Sequence, residues 1–390
     1  MTRYCVVVLA VTQLGAASCA GSEETTSAVR NDSAGLELVT NFGDRVLDWE
    51  FRMVARIGGE ESGPAAFYRL WRGRIATDGS GRIYVLDGEA RRLVAFSSDG
   101  SFLWAAGRPG SGPGEFRAPI YVTVHFDTVE VLDGGNGRIE LFTEDGSYRA
   151  SRAFGFTPLM TPQFRYVGRH TVVYLQNVVE GTDRFERLLL LTSRDTVQLA
   201  AQRMALPRRV RFQSCGFTTQ MSPIFTPSLI WASEGARLVV NTEGVYRMTE
   251  FRQGRPVRVI RRVVAPRDAT PELAAAEYPD GIQFGACRVP TDEVVGTIGF
   301  EARIPAIRWI SLSPDGRTWV QRTRGSNGWA AFDVFTDSGE YLGSLKSAPI
   351  PHAFLPSGDV VGVETDEVGV QRVVVYRVVG GSRSRGAATP

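Results

Sequence analysis

The chain has few of the residues on which most catalytic sites are built. Histidine occurs three times in 390 residues, at His125, His170 and His352, with no H-x-H and no HExxH pairing. That removes the spacing of helix-borne zinc enzymes, and no metal or other cofactor is expected. No G-x-S-x-G elbow, Walker loop or Rossmann fingerprint occurs in context, and the glycine-rich segments alternate with β-forming runs instead of opening helices, which disfavours a phosphate cradle. Lysine is almost absent: Lys346 stands alone, and arginine supplies the rest of the 44 basic residues, set against 42 acidic ones. So even a balance carries no bulk basic field, and nucleic acid is not an expected partner. Long apolar runs are missing too. Tyr4 to Leu14 comes nearest, and it is too short to span a bilayer.

That run follows Arg3 and suits the core of a signal peptide over residues 1–18. The next residues, Ala16-Ala17-Ser18-Cys19, resemble a lipobox, with Ala16 where that pattern prefers leucine. The resemblance implies that Cys19 is lipidated and that the mature chain sits in the cell envelope, touching membrane through its anchor only. The alternative is ordinary secretory cleavage and a soluble secreted protein. Residues 19–35 are rich in Ser, Thr, Glu, Asp, Asn and Gly and read as a flexible tether, and residues 381–390 read as a disordered tail.

What the chain does have is repetition. Gly58, Gly63, Pro64 and Phe67 recur 49 residues later as Gly107, Gly112, Pro113 and Phe116. Val85-Leu86-Asp87 returns 46 residues on as Val131-Leu132-Asp133, and Asp99-Gly100-Ser101-Phe102 as Asp145-Gly146-Ser147-Tyr148. Short runs rich in Val, Ile, Tyr and Phe, bounded by Asp-Gly and Ser-Gly turns, are hairpin chemistry. A period in the mid-forties with four strands per unit is that of a propeller blade. The connector Gly112-Pro113-Gly114-Glu115-Phe116, with Pro119, Val131-Leu132-Asp133 and Arg138-Ile139, resembles the NHL-repeat blade, and the wider pattern resembles bacterial six-bladed β-propeller lipoproteins. The fold this implies is all-β: six four-stranded antiparallel blades over residues 36–380.

Second strands are expected near Arg82–Leu86, Thr128–Leu132, Thr171–Leu175, Arg237–Asn241, Arg317–Gln321 and Asp359–Val363. The last blade lacks a fourth strand. Phe51–Ile57 precedes Gly58 as Phe102–Ala106 precedes Gly107, so it should close the ring and bury the open edges. Two intervals, of 66 and 80 residues against 42 to 46 elsewhere, place insertions at 207–227 and 266–305, both on connectors that emerge on one face. Thr270-Pro271 starts a single short helix reaching about Tyr278. Cys215 and Cys287 lie one in each insertion and are expected to form a disulfide.

Asp87 and Asp133 repeat from blade to blade and read as turn caps, and Glu115 and Phe116 as structural. The histidines scatter to opposite faces. Candidate partner contacts are therefore the arginines and aromatics of the insertions: Arg208, Arg209, Arg211, Phe212, Phe217, Tyr278 and Phe284. They suggest a binding or scaffold module for an envelope protein, peptide or glycan. The competing expectation is a lactonase-like hydrolase or lyase working in the central channel, for which no catalytic set can be placed on the sequence.

Overall fold

A computed structural model describes residues 28–33, 35–59, 63–67, 70, 73–153, 164–367 and 369–380. Each repeat folds as an antiparallel four-stranded sheet. Blade one is Ile75–Thr77, Ile83–Asp87, Arg92–Phe96 and Phe102–Ala106; blade two is Pro119–His125, Thr128–Asp133, Arg138–Thr143 and Tyr148–Ala153. Blade three is Phe164–Gly168, Thr171–Glu180, Asp183–Leu191 and Thr196–Met204; blade four is Ile230–Glu234, Arg237–Asn241, Arg247–Arg252 and Arg255–Arg262. Blade five is Trp309–Leu312, Thr318–Gln321, Trp329–Phe335 and Tyr341–Pro349. Blade six takes Ala353–Phe354, Val360–Thr365 and Gln371–Val379 from the C-terminal end and its outer strand, Glu50–Gly58, from near the N-terminus. The protein is thus a six-bladed β-propeller, closed by the strand that the sequence assigns to closure.

The repeated connector has a packing role. Phe67 packs edge-to-face on Phe96, with centroids 6.0 Å apart, in the seam between blades six and one. Phe116 meets Phe142 at 5.8 Å in the next seam. Each phenylalanine therefore wedges successive blades, and each lies over the glycine that ends the preceding outer strand. Gly107 has φ +87°, and a Cβ there would fall 2.2 Å from the Phe116 ring, so only glycine serves. The repeated aspartates act as caps. Fully buried Asp133 accepts hydrogen bonds from the amides of Arg117 (2.9 Å) and Ala118 (2.8 Å) and from Asn136 Nδ2 (2.7 Å). Glu115 likewise accepts from Gly112 N and Arg108 Nε, both at 2.8 Å.

Two expectations need correcting. Residues 28–33, assigned by composition to a tether, form the strand Ala28–Ser33, which pairs with Leu36–Asn41. That second strand runs parallel to the outer strand of blade four, giving a six-stranded sheet. A polar side chain anchors it. Buried Asn41 donates to Arg261 O (3.1 Å) and Gly339 O (3.0 Å) and accepts from Tyr341 N (2.8 Å), pinning the strand between blades four and five. There are also two helices among the described residues, not one: α1 (Pro271–Ala275) and α2 (Thr291–Ile298). The Thr270 side chain caps α1 by accepting from Leu273 N at 3.3 Å. α2 begins after Pro290 without a side-chain cap.

Candidate functional site: a lidded cleft and the channel

The two insertions fold together as one lid. The first is a hairpin, Arg208–Phe212 with Phe217–Met221; the second holds α1, the pair Ile282–Phe284 and Cys287–Val289, and α2. Val210, Phe212 and Ile224 from the first pack with Ala274, Val289, Val294 and Ile298 from the second, so the lid has its own apolar core. Backbone bonds join the two, Ile224 N to Gly299 O and Glu301 N to Ile224 O, both 2.9 Å. Glu293 of α2 accepts from the amides of Gln213 and Ser214 at the hairpin tip, and the Ser214 contact helps to hold its carboxyl below the usual range. At that tip Cys215 and Cys287 are disulfide-bonded, with Cα atoms 5.9 Å apart. Replacing both cysteines by serine is expected to cost the lid about 2–4 kcal/mol. Hydrogen exchange should then speed up over 208–221 while the blades keep their protection.

The predicted contact residues divide. Arg209 and Arg211 are exposed on the outer side of the hairpin. Arg208 Nη2 donates to Ile298 O at 2.9 Å and so closes the end of α2. Phe212 is fully buried in the lid core, which removes it as a partner contact. Phe284 sits between Phe212 (5.7 Å) and Phe217 (4.7 Å), so these rings hold the lid together. Of the seven, Tyr278 is the one that lines the cleft between lid and ring.

That cavity lies between lid and ring and has a volume of 830 Å³, the size of a ligand cleft. The lid contributes Ile224, Phe225, Leu273 and Tyr278; the ring contributes Ile230, Ile307, Trp309 and Ile350. The cations on its rim are Arg267, Arg308, Arg322 and Arg324. Arg308 pairs with Glu277 at 2.7 Å. Arg267 and Arg324 are exposed and form no ion pair among the described residues. These rim arginines belong to different segments and follow no sequence period, so the sequence reading missed them.

A second cavity, of 700 Å³, is the central channel, lined by the inner strands and inner turns of all six blades. No lid residue lines it, and Trp309 borders both cavities. His125 and His352 line the channel from opposite ends of their inner strands, while His170 is exposed in its turn. Asp78, also in the wall, is committed to its own turn through Ser80, Arg82 and Tyr84. Burial alone would raise its carboxyl, but the bonds from Ser80, the Arg82 amide and Tyr84 hold it below the usual range. Among the described residues no group of three or more His, Cys, Asp or Glu side chains could hold a metal ion.

No family model matches the chain. NHL repeat-containing protein 3 of mouse is 39% identical over 75 residues, which is 18% of this chain and 22% of that protein. The human protein of the same name matches over the same shares at 39%. The chain thus spans about a fifth of the length of these curated relatives. Among solved structures, a DUF4221-family protein of Bacteroides vulgatus aligns over 86% of this chain and 100% of its own at 9% identity, with a TM-score of 0.46. A streptogramin B lyase aligns over 84% and 97% at 10% identity, with a TM-score of 0.35.

Proposed function

We propose that the protein is a binding module of the cell envelope, held there by lipid on Cys19, and that it takes an acidic or carboxylate-ended segment of a partner into the cleft beneath its lid. The observation that carries this reading is the cleft itself. It has an apolar interior, a rim with two exposed arginines that form no ion pair among the described residues, and a roof fixed by a core and a disulfide. A pre-formed roof lowers the ordering cost of binding, and arginine grips carboxylates through paired N–H bonds. The disulfide suits an oxidising compartment. Cys19 lies outside the described residues, and no helix among them is long and apolar enough to cross a membrane.

Two measurements test the reading. Membrane fractionation should show Cys19→Ala released from the membrane or stalled in processing; a variant that fractionates as wild type counts against the anchor. Affinity capture from envelope extract should recover a partner with wild type, lose it with Arg267→Glu/Arg324→Glu, and keep it with Arg209→Glu/Arg211→Glu. Removing one charge-assisted bond weakens binding by roughly tenfold or more. Capture that ignores the rim substitutions but fails with the outer pair would move the site to the outside of the hairpin.

A further inference from the structure

The channel has a chemistry of its own on the wall formed by blades two, three and four. The loop joining His125 to Thr128 has two residues, and Phe126 takes its first position with φ +53°, where glycine is the usual occupant. A bulky residue at positive φ is an outlier worth a functional explanation. Here the ring is not buried in return: Phe126 is 61% exposed and stands in the channel wall.

The neighbouring charges are equally unspent. The Arg169 guanidinium lies 4.7 Å from the Phe126 ring centroid, and that of Arg165 lies 5.1 Å from the Tyr121 ring. Both arginines line the channel, and neither forms an ion pair among the described residues. Each packs on an aromatic face and makes no direct carboxylate contact among the described residues, which leaves N–H edges for an incoming anion. His125 is fixed beside them, stacked on Tyr166 at 3.6 Å and 11° with Nε2 3.0 Å from Arg169 O.

We infer that this wall is a binding site, separate from the lid cleft, for a small aromatic carboxylate whose acid group is held by Arg165 and Arg169 and whose ring packs on Phe126. Two guanidiniums select an anion, and the exposed, strained ring selects a flat apolar body. The channel volume limits the ligand to a small molecule. Glu234 of blade four is the acid of this wall. Desolvation by the channel walls raises its carboxyl above the usual range, with the Arg165 charge offsetting part of the rise.

The test is titration of the purified full-length mature chain with 1-naphthoate, followed by calorimetry, with inorganic phosphate and cyclohexanecarboxylate as comparisons. Saturable 1:1 binding of naphthoate is expected. Arg165→Gln/Arg169→Gln should weaken it by about tenfold to a hundredfold. Phe126→Gly, which suits the local backbone and should melt no lower than wild type, should weaken naphthoate but leave cyclohexanecarboxylate and phosphate unchanged. The cleft-rim variant Arg324→Glu, outside the channel, should bind naphthoate as wild type. No saturable binding at millimolar naphthoate, binding indifferent to the two arginines, or phosphate binding as tightly as naphthoate would each overturn the proposal.

Discussion

Ile57→Asp will abolish the soluble, cooperatively folded protein, whereas Arg56→Ala, one residue away, will melt within about 1 kcal/mol of wild type. The two side chains lie on opposite faces of the closing strand. Ile57 is 2% exposed, pairs with Val373, and packs in the seam with Phe67, Phe96, Val363 and Val375. A carboxylate there has no partner, and the penalty of several kcal/mol is comparable with the whole stability of a typical domain, about 5–15 kcal/mol. Arg56 is solvent-exposed and makes only a surface pair with Glu364 at 3.1 Å. Thermal melts decide the matter. If Ile57→Asp melts as wild type, this strand does not close the ring.

The second large effect is expected at the seam of blades four and five. Fully buried Glu250 accepts from Arg252 Nε (3.0 Å) and Arg258 Nη1 (3.0 Å) and also pairs with Arg237 at 3.4 Å. Arg237 reaches on to blade five, donating to Gly316 O at 2.6 Å and Thr318 Oγ1 at 2.8 Å. Arg258 has Glu37 as a second acid at 2.7 Å, and Arg252 is half in solvent. Arg237 is the weak point: burial pulls its guanidinium below the ordinary range, and Glu250 is the charge that opposes this. Glu250→Gln should therefore destabilise by about 3–5 kcal/mol, because a buried charge is left uncompensated. Urea denaturation should show the single variant worse than Glu250→Leu/Arg237→Leu, in which both charges go. A double variant worse than the single would contradict this account of the seam.

The ring was legible because its signals repeat. Phe67 and Phe116, with Gly58 and Gly107 beneath them, are set by the same blade-to-blade geometry and so recur at one spacing. The cysteine pair was legible because two half-bridges, one per insertion, leave a single pairing. The strand Leu36–Asn41 was harder: its register in the ring depends on the Asn41 amide meeting carbonyls some 220 and 298 residues away, and composition cannot report such contacts. Phe212 was misplaced although a signal existed. Arg209 and Arg211 alternate with Val210 and Phe212, the period of a strand with one buried face. The Phe126 turn and the arginines of the channel gave no warning, because only the curvature of the ring brings blades two, three and four to one wall.

The most direct test of the proposed binding role is site-specific photo-cross-linking in intact cells, with a photoreactive residue placed at Arg324 on the cleft rim or at Arg211 on the outer side of the hairpin. The account predicts a discrete partner adduct from position 324, lost when Arg267→Glu is added, and none from position 211. Adducts from 211 alone, or none from 324 while the protein is folded and anchored, would contradict it.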